Sequence, residues 1–190
     1  MERSARTLDM RTLQMQGTAH HEAGHAVAGV LVGIRVEKVF IFADSPGDMY
    51  QGECVMDASS ITDLSRARQD PRSRRWVQGQ FRKEIISVFG SPVAETKFLG
   101  ITLDADGLIE VPARLKRYRF GHPQDINTTF DLAIRSWPRT SSDKRRDLLE
   151  ETTILIEEHW RAVCLIAERL LEKRQLSGAE VQELLARAGC

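Results

Sequence analysis

His21 and His25 stand four residues apart, with Glu22 beside the first, in the stretch His21-Glu22-Ala23-Gly24-His25. On a helix, side chains four apart project from one face, one turn above the other. Two imidazoles so placed can grip one zinc ion, with the intervening glutamate positioned as a general base. The chemistry such a grouping serves is metal-assisted hydrolysis of a peptide bond.

The pentapeptide pattern also arises by chance, so its surroundings matter. The residues after it, Ala26-Val27-Ala28-Gly29-Val30-Leu31-Val32-Gly33, are small and apolar. This reads as a buried helix with its polar atoms gathered on one stripe. An uncompensated polar group in such a helix costs roughly 2–7 kcal/mol. A cation supplies the missing partner. The alternative is a surface helix carrying two solvated histidines, which the apolar flank disfavours. The helix is expected from about Thr18, as N-cap, to Gly33 as its stop.

The elements that must position this helix follow along the chain. Residues 1–16 read as a polar arm, and 17–190 as a single domain. Val36–Phe42 is β-branched and aromatic, hence a strand, and Gly52–Met56 returns as a second. Phe81, Ile85, Val88 and Phe89 recur at helical spacing toward Leu99, with Gly100 as a stop and Pro92 implying a kink or a restart. Leu103–Leu108 reads as a hairpin turn rather than a calcium loop. Pro123 opens a helix bearing Asp125 in its first turn and an apolar stripe of Ile126, Phe130, Ala133 and Trp137. A long helix is expected from about Ser142 to Arg174. Ser177-Gly178-Ala179-Glu180 is a capping box opening one more helix, so residues 142–190 form a helical hairpin. The fold class is mainly α with a small β-sheet.

Composition narrows the partners. The chain has 190 residues, 27 Lys+Arg against 27 Asp+Glu, and 42 % hydrophobic residues. This suits a soluble globular domain and favours no polyanionic partner. The basic stretch 63–83 reads as a solvated face, so nucleic acid is not expected. The longest apolar run, Ala26–Ile34, falls far short of the roughly 20 residues a membrane span needs. No secretory leader is visible. Cys54, Cys164 and Cys190 are too few and too scattered for a disulfide framework or a thiolate site. A cytoplasmic protein with reduced thiols is expected.

A catalytic zinc takes three protein ligands and leaves one position open. Ala28 and Leu31 exclude a third histidine in the metzincin spacing. Glu84, Glu95, Asp125 and His122 stay open as third ligand on the residues alone.

Four blocks bear on that choice. His20–Gly29 looks like the peptidase helix of the FtsH-type ATP-dependent zinc proteases, and Val36–Phe42 is similar to the strand after it. Gly90-Ser91-Pro92-Val93-Ala94-Glu95-Thr96-Lys97-Phe98-Leu99-Gly100 resembles that family's Gly-Gly-x-x-Ala-Glu-Glu-x-x-x-Gly helix. Gly121-His122-Pro123-Gln124-Asp125-Ile126 resembles its Gly-Ala-x-Asn-Asp-Leu segment. Residues 155–181 are similar to its C-terminal helices. The likeness is collinear over about 17–185. It implies a multihelical FtsH-peptidase-like domain with Zn2+ held by His21, His25 and Asp125, and Glu95 in a supporting role. Two departures stand out: Gln124 replaces the family's Asn, and segments near 58–80 and 101–120 are lengthened. No Gly-x-x-x-x-Gly-Lys-Ser/Thr loop and no membrane anchor occur, so the resemblance covers the peptidase part without the motor.

The expectation is thus a zinc-dependent endopeptidase with Glu22 as catalytic base, cutting flexible segments or peptides. A separate unfoldase or regulatory protein is an open partner, and so is a homo-oligomer, since the family forms hexameric rings. Two other readings remain: a non-catalytic zinc-braced adaptor, and a regulatory peptidase specific for one repressor-like protein. Tyr50 and His122 are secondary choices as oxyanion donors. His20 reads as structural and His159 as a core histidine.

Overall fold

The computed structural model describes residues 2–43, 45, 48–57, 74–101, 103–104, 115, 118, 120 and 123–190, with backbone alone for 2–9, 74 and 123. Most of the basic stretch, the 103–108 turn beyond Asp104, and His122 lie outside the described residues.

The central element is α1, Glu2–Leu31. It is far longer than the sequence suggested: of the expected arm 1–16, residues 2–16 form its first half. Thr18 is no N-cap: its hydroxyl donates to Gln14 O at 2.9 Å, one turn back in the same helix. A threonine can satisfy itself this way inside a helix, so its presence alone marks no boundary. The far end matches expectation. Gly33 adopts φ 79°, and Ile34 N donates back to Gly29 O at 2.8 Å. This is the left-handed stop that glycine makes without strain.

After α1 come β1 (Val36–Phe42) and β2 (Gln51–Met56), paired antiparallel. The next helix, α2 (Arg74–Leu99), is continuous through Pro92 rather than restarted there. Proline removes the N–H that Val88 O would accept. Ser91 Oγ, one residue earlier, donates to that carbonyl at 2.9 Å. Gly100, at φ 65°, closes the helix. Then follow α3 (Pro123–Ser136) and α4 (Ser141–Glu158).

The expected long helix is broken at His159. A second helix, α5, takes over at Trp160 and runs to Lys173. His159 is half-buried at that joint, with Nδ1 3.2 Å from Cys190 Sγ, and is not a core residue. The hairpin's connection also does more than turn. Gln175–Ser177 forms β3, which pairs antiparallel with β1 and completes a sheet of order β2-β1-β3. The last helix, α6 (Gly178–Ala188), opens on the expected capping box: Ser177 Oγ accepts from Glu180 N while Glu180 accepts from Ser177 N.

These pieces share one core. Ala19, Ala23, Ala26, Val27 and Ala28 of α1 are buried against Ile85, Ile86, Phe89 and Ala94 of α2, Val39 and Ile41 of β1, and Val163, Ile166 and Leu170 of α5. The small residues of α1 allow close approach on several sides. At Gly24 and Gly90 the two helix backbones nearly touch: a Cβ at Gly90 would fall 2.6 Å from Ala28 Cβ and still closer to Gly24 O. Arg145 of α4 is 1 % exposed. Its guanidinium lies 3.6 Å from the Phe130 ring centroid and 5.3 Å from that of Phe89, and its Nε donates to Thr129 Oγ1. A charged residue in a helix of mean acidic and basic pattern gives no sign in sequence that it will be a core plug. Among the described residues, no helix is long and apolar enough to cross a membrane.

Candidate metal centre

Each side chain of the site is set by a packing constraint. His21 and His25 leave α1 on the face turned to α2 and α3. Their outward nitrogens are fixed first. His21 Nδ1–H donates to Glu95 Oε2 at 3.0 Å, and His25 Nδ1–H donates to Ser87 O at 3.0 Å. A carboxylate and a carbonyl only accept, so the proton sits on Nδ1 in both rings and Nε2 is turned inward. Glu95 is in turn held by Tyr118, whose hydroxyl donates to Oε1 at 2.9 Å. Gly17 makes this reach available: a Cβ there would overlap the Tyr118 hydroxyl.

Asp125 enters from the first turn of α3, where the helix dipole favours a carboxylate. Its Oδ2 lies 3.0 Å from His21 Nε2 and 3.6 Å from His25 Nε2. Ser91 Oγ also approaches that oxygen at 3.0 Å. The three ligand-type atoms of His21, His25 and Asp125 fall within 4.8 Å of one another. Two ligands of a tetrahedral zinc, each about 2.0–2.1 Å from it, stand roughly 3.3 Å apart. The distances of 3.0 and 3.6 Å bracket that value. The donor set, two neutral imidazole nitrogens and a carboxylate oxygen, also suits zinc. The outer partners are those that orient imidazoles at metal sites: a carboxylate on one, a main-chain carbonyl on the other.

Glu22 is 4 % exposed, and its Oε2 has no hydrogen-bond partner. Gly52 of β2 makes room for it: a Cβ there would stand 2.7 Å from Glu22 Oε1. Burial raises the Glu22 pKa, which the nearby imidazoles partly offset. A carboxyl so shifted is a better proton acceptor than an exposed one.

The remaining electrostatics follow from the same cluster. Burial pulls the His21 imidazole down, but hydrogen bonds and charge from Asp125 and Glu95 prevail and hold it well above 6.5. Burial pushes Asp125 up, while the two imidazoles outweigh that and keep it well below the usual carboxylate range. A raised histidine stabilises the fold below its unfolded pKa, and that stability is lost as pH rises through the folded value. A depressed aspartate stabilises above about 3.8 and loses this as pH falls. Metal-free protein is therefore expected to be most stable between about pH 4 and 6.5 and to lose melting temperature above neutrality. Zinc displaces the His21 proton, so its stabilising effect is expected to grow over the same rise. Thermal unfolding with and without zinc from pH 5 to 9 checks both slopes.

Of the other residues singled out in sequence, His20 faces away from the cluster. Its Nδ1–H donates to Gln16 O, its ring stacks on Phe98 at 4.1 Å, and burial lowers its pKa, so it is structural. Tyr50 lines the same cleft, with the guanidiniums of Arg11 and Arg174 at 5.6 and 5.5 Å from its ring. Glu84 lines the cleft but is not part of the three-residue cluster. Tyr118, Ser87 and Ser91 were not singled out in sequence. Glu95 was, and its contact with His21 fits a supporting place. Tyr118 and Ser91 act through side chains that only folding brings near; Ser87 acts through its main-chain carbonyl, which no residue type signals.

The cluster opens on a cleft of about 1120 Å3 between α1, β2, α2 and α3. Among the described residues β1 is the central strand of its sheet, and the edge beside the cleft belongs to its hairpin partner β2. No family model matches the chain, and a search of curated proteins returns no match.

Proposed function

We propose that this chain is a zinc-dependent endopeptidase of FtsH-peptidase-like type. One observation carries the reading: inward nitrogens of His21 and His25 converge with an Asp125 oxygen next to a buried glutamate whose own oxygen lacks a partner. Three protein ligands among the described residues leave one coordination position for water or substrate, which a purely structural site would fill. That favours catalysis over the adaptor reading.

His21, His25 and Asp125 would hold the ion, and bound zinc supplies a lowered water pKa and a polarised scissile carbonyl. The protein's residues do the rest. Glu22 takes the proton of the attacking water and passes it to the departing amine. Glu95 and Ser87 O keep both rings in register, and Tyr118 keeps Glu95 in place. β2 is an edge strand of the described sheet and runs along the cleft, so an extended peptide would add to it as a further strand. Such a substrate must already be extended, so flexible segments suit it better than folded domains. Unfolding, where needed, falls to a partner.

The test is cleavage of a library of unstructured peptides by zinc-loaded protein. Cleavage that stops with a chelator and returns with stoichiometric zinc supports the reading. A zinc-loaded protein that cuts nothing in the library contradicts it. Cleavage of one protein in a lysate, with none of the library, would instead favour the regulatory peptidase.

A further inference from the structure

The described cleft lining contains seven carboxylates and neither lysine nor arginine. Three of them, Glu22, Glu95 and Asp125, belong to the metal centre. Glu84 does not, and its position is unlike that of the exposed acids. Its Oε1 is fully buried and has no hydrogen-bond partner. Burial raises its pKa, with no cation to pull it back.

The neighbourhood says what fits there. Glu84 lies on α2 one turn before Ser87, whose carbonyl holds His25. One turn is about 5.4 Å, a distance that the four-carbon stem of a lysine covers. The same cleft is lined by Ile34, Met56, Val88 and Leu132, and Val88 stands one turn after Glu84 on α2. Met56 is fixed there by Ser87, whose hydroxyl approaches its sulfur at 3.1 Å. Leu132 continues the α3 face that carries Asp125 and Thr128. Aliphatic lining beside a carboxylate that no protein donor satisfies at Oε1 matches a side chain with a long apolar stem and a cationic head.

We propose that Glu84 forms the floor of a substrate pocket that selects a lysine or arginine side chain near the scissile bond. The stem packs on Val88, Leu132, Met56 and Ile34, and the head pairs with the Glu84 carboxylate. A buried carboxylate left without a donor is costly, so an uncharged side chain of equal length is rejected as well as less attracted.

This inference rests on the peptidase reading, yet its main test does not need turnover. Zinc-loaded Glu22→Gln protein is titrated with fluorescent peptides that differ only in lysine, arginine or norleucine at one position, scanned through the sequence. At one position, lysine or arginine should bind about 10- to 100-fold tighter than norleucine, the range for a charge-assisted hydrogen bond. Adding Glu84→Gln should bring that ratio to about one. Adding Glu84→Lys should transfer the preference to a glutamate-bearing peptide. Zinc content confirms that each variant keeps its metal centre. Equal binding of lysine and norleucine at every position, or a ratio that survives Glu84→Gln, overturns the inference. If the parent protein cuts peptides without such preference, the peptidase reading stands and the Glu84 pocket falls. If Glu84-dependent selection is found but the parent cuts nothing, the pocket stands and the hydrolytic reading falls.

Discussion

Glu22→Gln is expected to lower peptide cleavage about 10²- to 10⁴-fold, the range attributable to a positioned general base. The substitution keeps size and shape, so the space left by Gly52 still accommodates it. It removes the proton-accepting oxygen that is buried without a partner. It also relieves a strained ionisation, since burial opposes the charged form of Glu22. The variant should therefore fold at least as well as the parent and bind zinc as tightly. The pairing of full zinc content with lost cleavage is the informative outcome. Unchanged cleavage by a fully loaded variant would remove Glu22 from the mechanism. Steady-state kinetics beside metal analysis of the same samples makes the comparison.

The largest stability effect is expected away from the chemistry, where α1 and α2 cross. Gly24 and Gly90 face each other there, and each would drive a Cβ into the other's carbonyl. Gly24 has a second obstacle in Ala94 Cβ, at 2.7 Å. The obstacles are backbone and short side chains, so no flexible group can swing aside. Overpacking in a core costs typically about 1–3 kcal/mol, and more where backbones must separate. Gly90→Val is expected to destabilise by about 4 kcal/mol or more, against a total stability of about 5–15 kcal/mol for an ordinary domain. The damage reaches the site, because α1 carries His21 and α2 carries Glu95. Zinc affinity should fall even under conditions where the variant remains folded. Urea unfolding of the metal-free proteins measures this, and a midpoint equal to the parent's would show that the helices are not locked as described.

Much of this arrangement was legible in the sequence where the signal is local. The helical spacing of His21 and His25, the strand Val36–Phe42, the Pro123 start and the Ser177 capping box each depend on residues within a few positions. The failures have a common cause, which is that tertiary contacts set the outcome. Thr18 resembles a cap but bonds within the helix, so α1 extends back to Glu2. The break at His159 carries no glycine or proline to announce it. β3 is three residues long and exists because β1 offers it a partner. Asp125 illustrates the intermediate case. On residue type alone it competed with Glu84, Glu95 and His122, and only likeness to a family's segment favoured it. The fold sets it beside the imidazoles because α3 packs on α2 and directs its first turn at the cluster. Glu95, a plausible ligand by composition, is drawn instead to the outer nitrogen of His21. Arg145 was missed because its burial depends on two aromatic rings distant in sequence.

The proposed chemistry requires that His21, His25 and Asp125 bind one zinc together. X-ray absorption at the zinc edge, on protein purified and resupplied with one equivalent, reads the coordination sphere directly. The expected result is one tightly held zinc per chain with two imidazole nitrogens, a carboxylate oxygen and one further light-atom ligand, and a sphere that loses the carboxylate in Asp125→Ala. Protein that retains no zinc after resupply, or a sphere unchanged by Asp125→Ala, would contradict it.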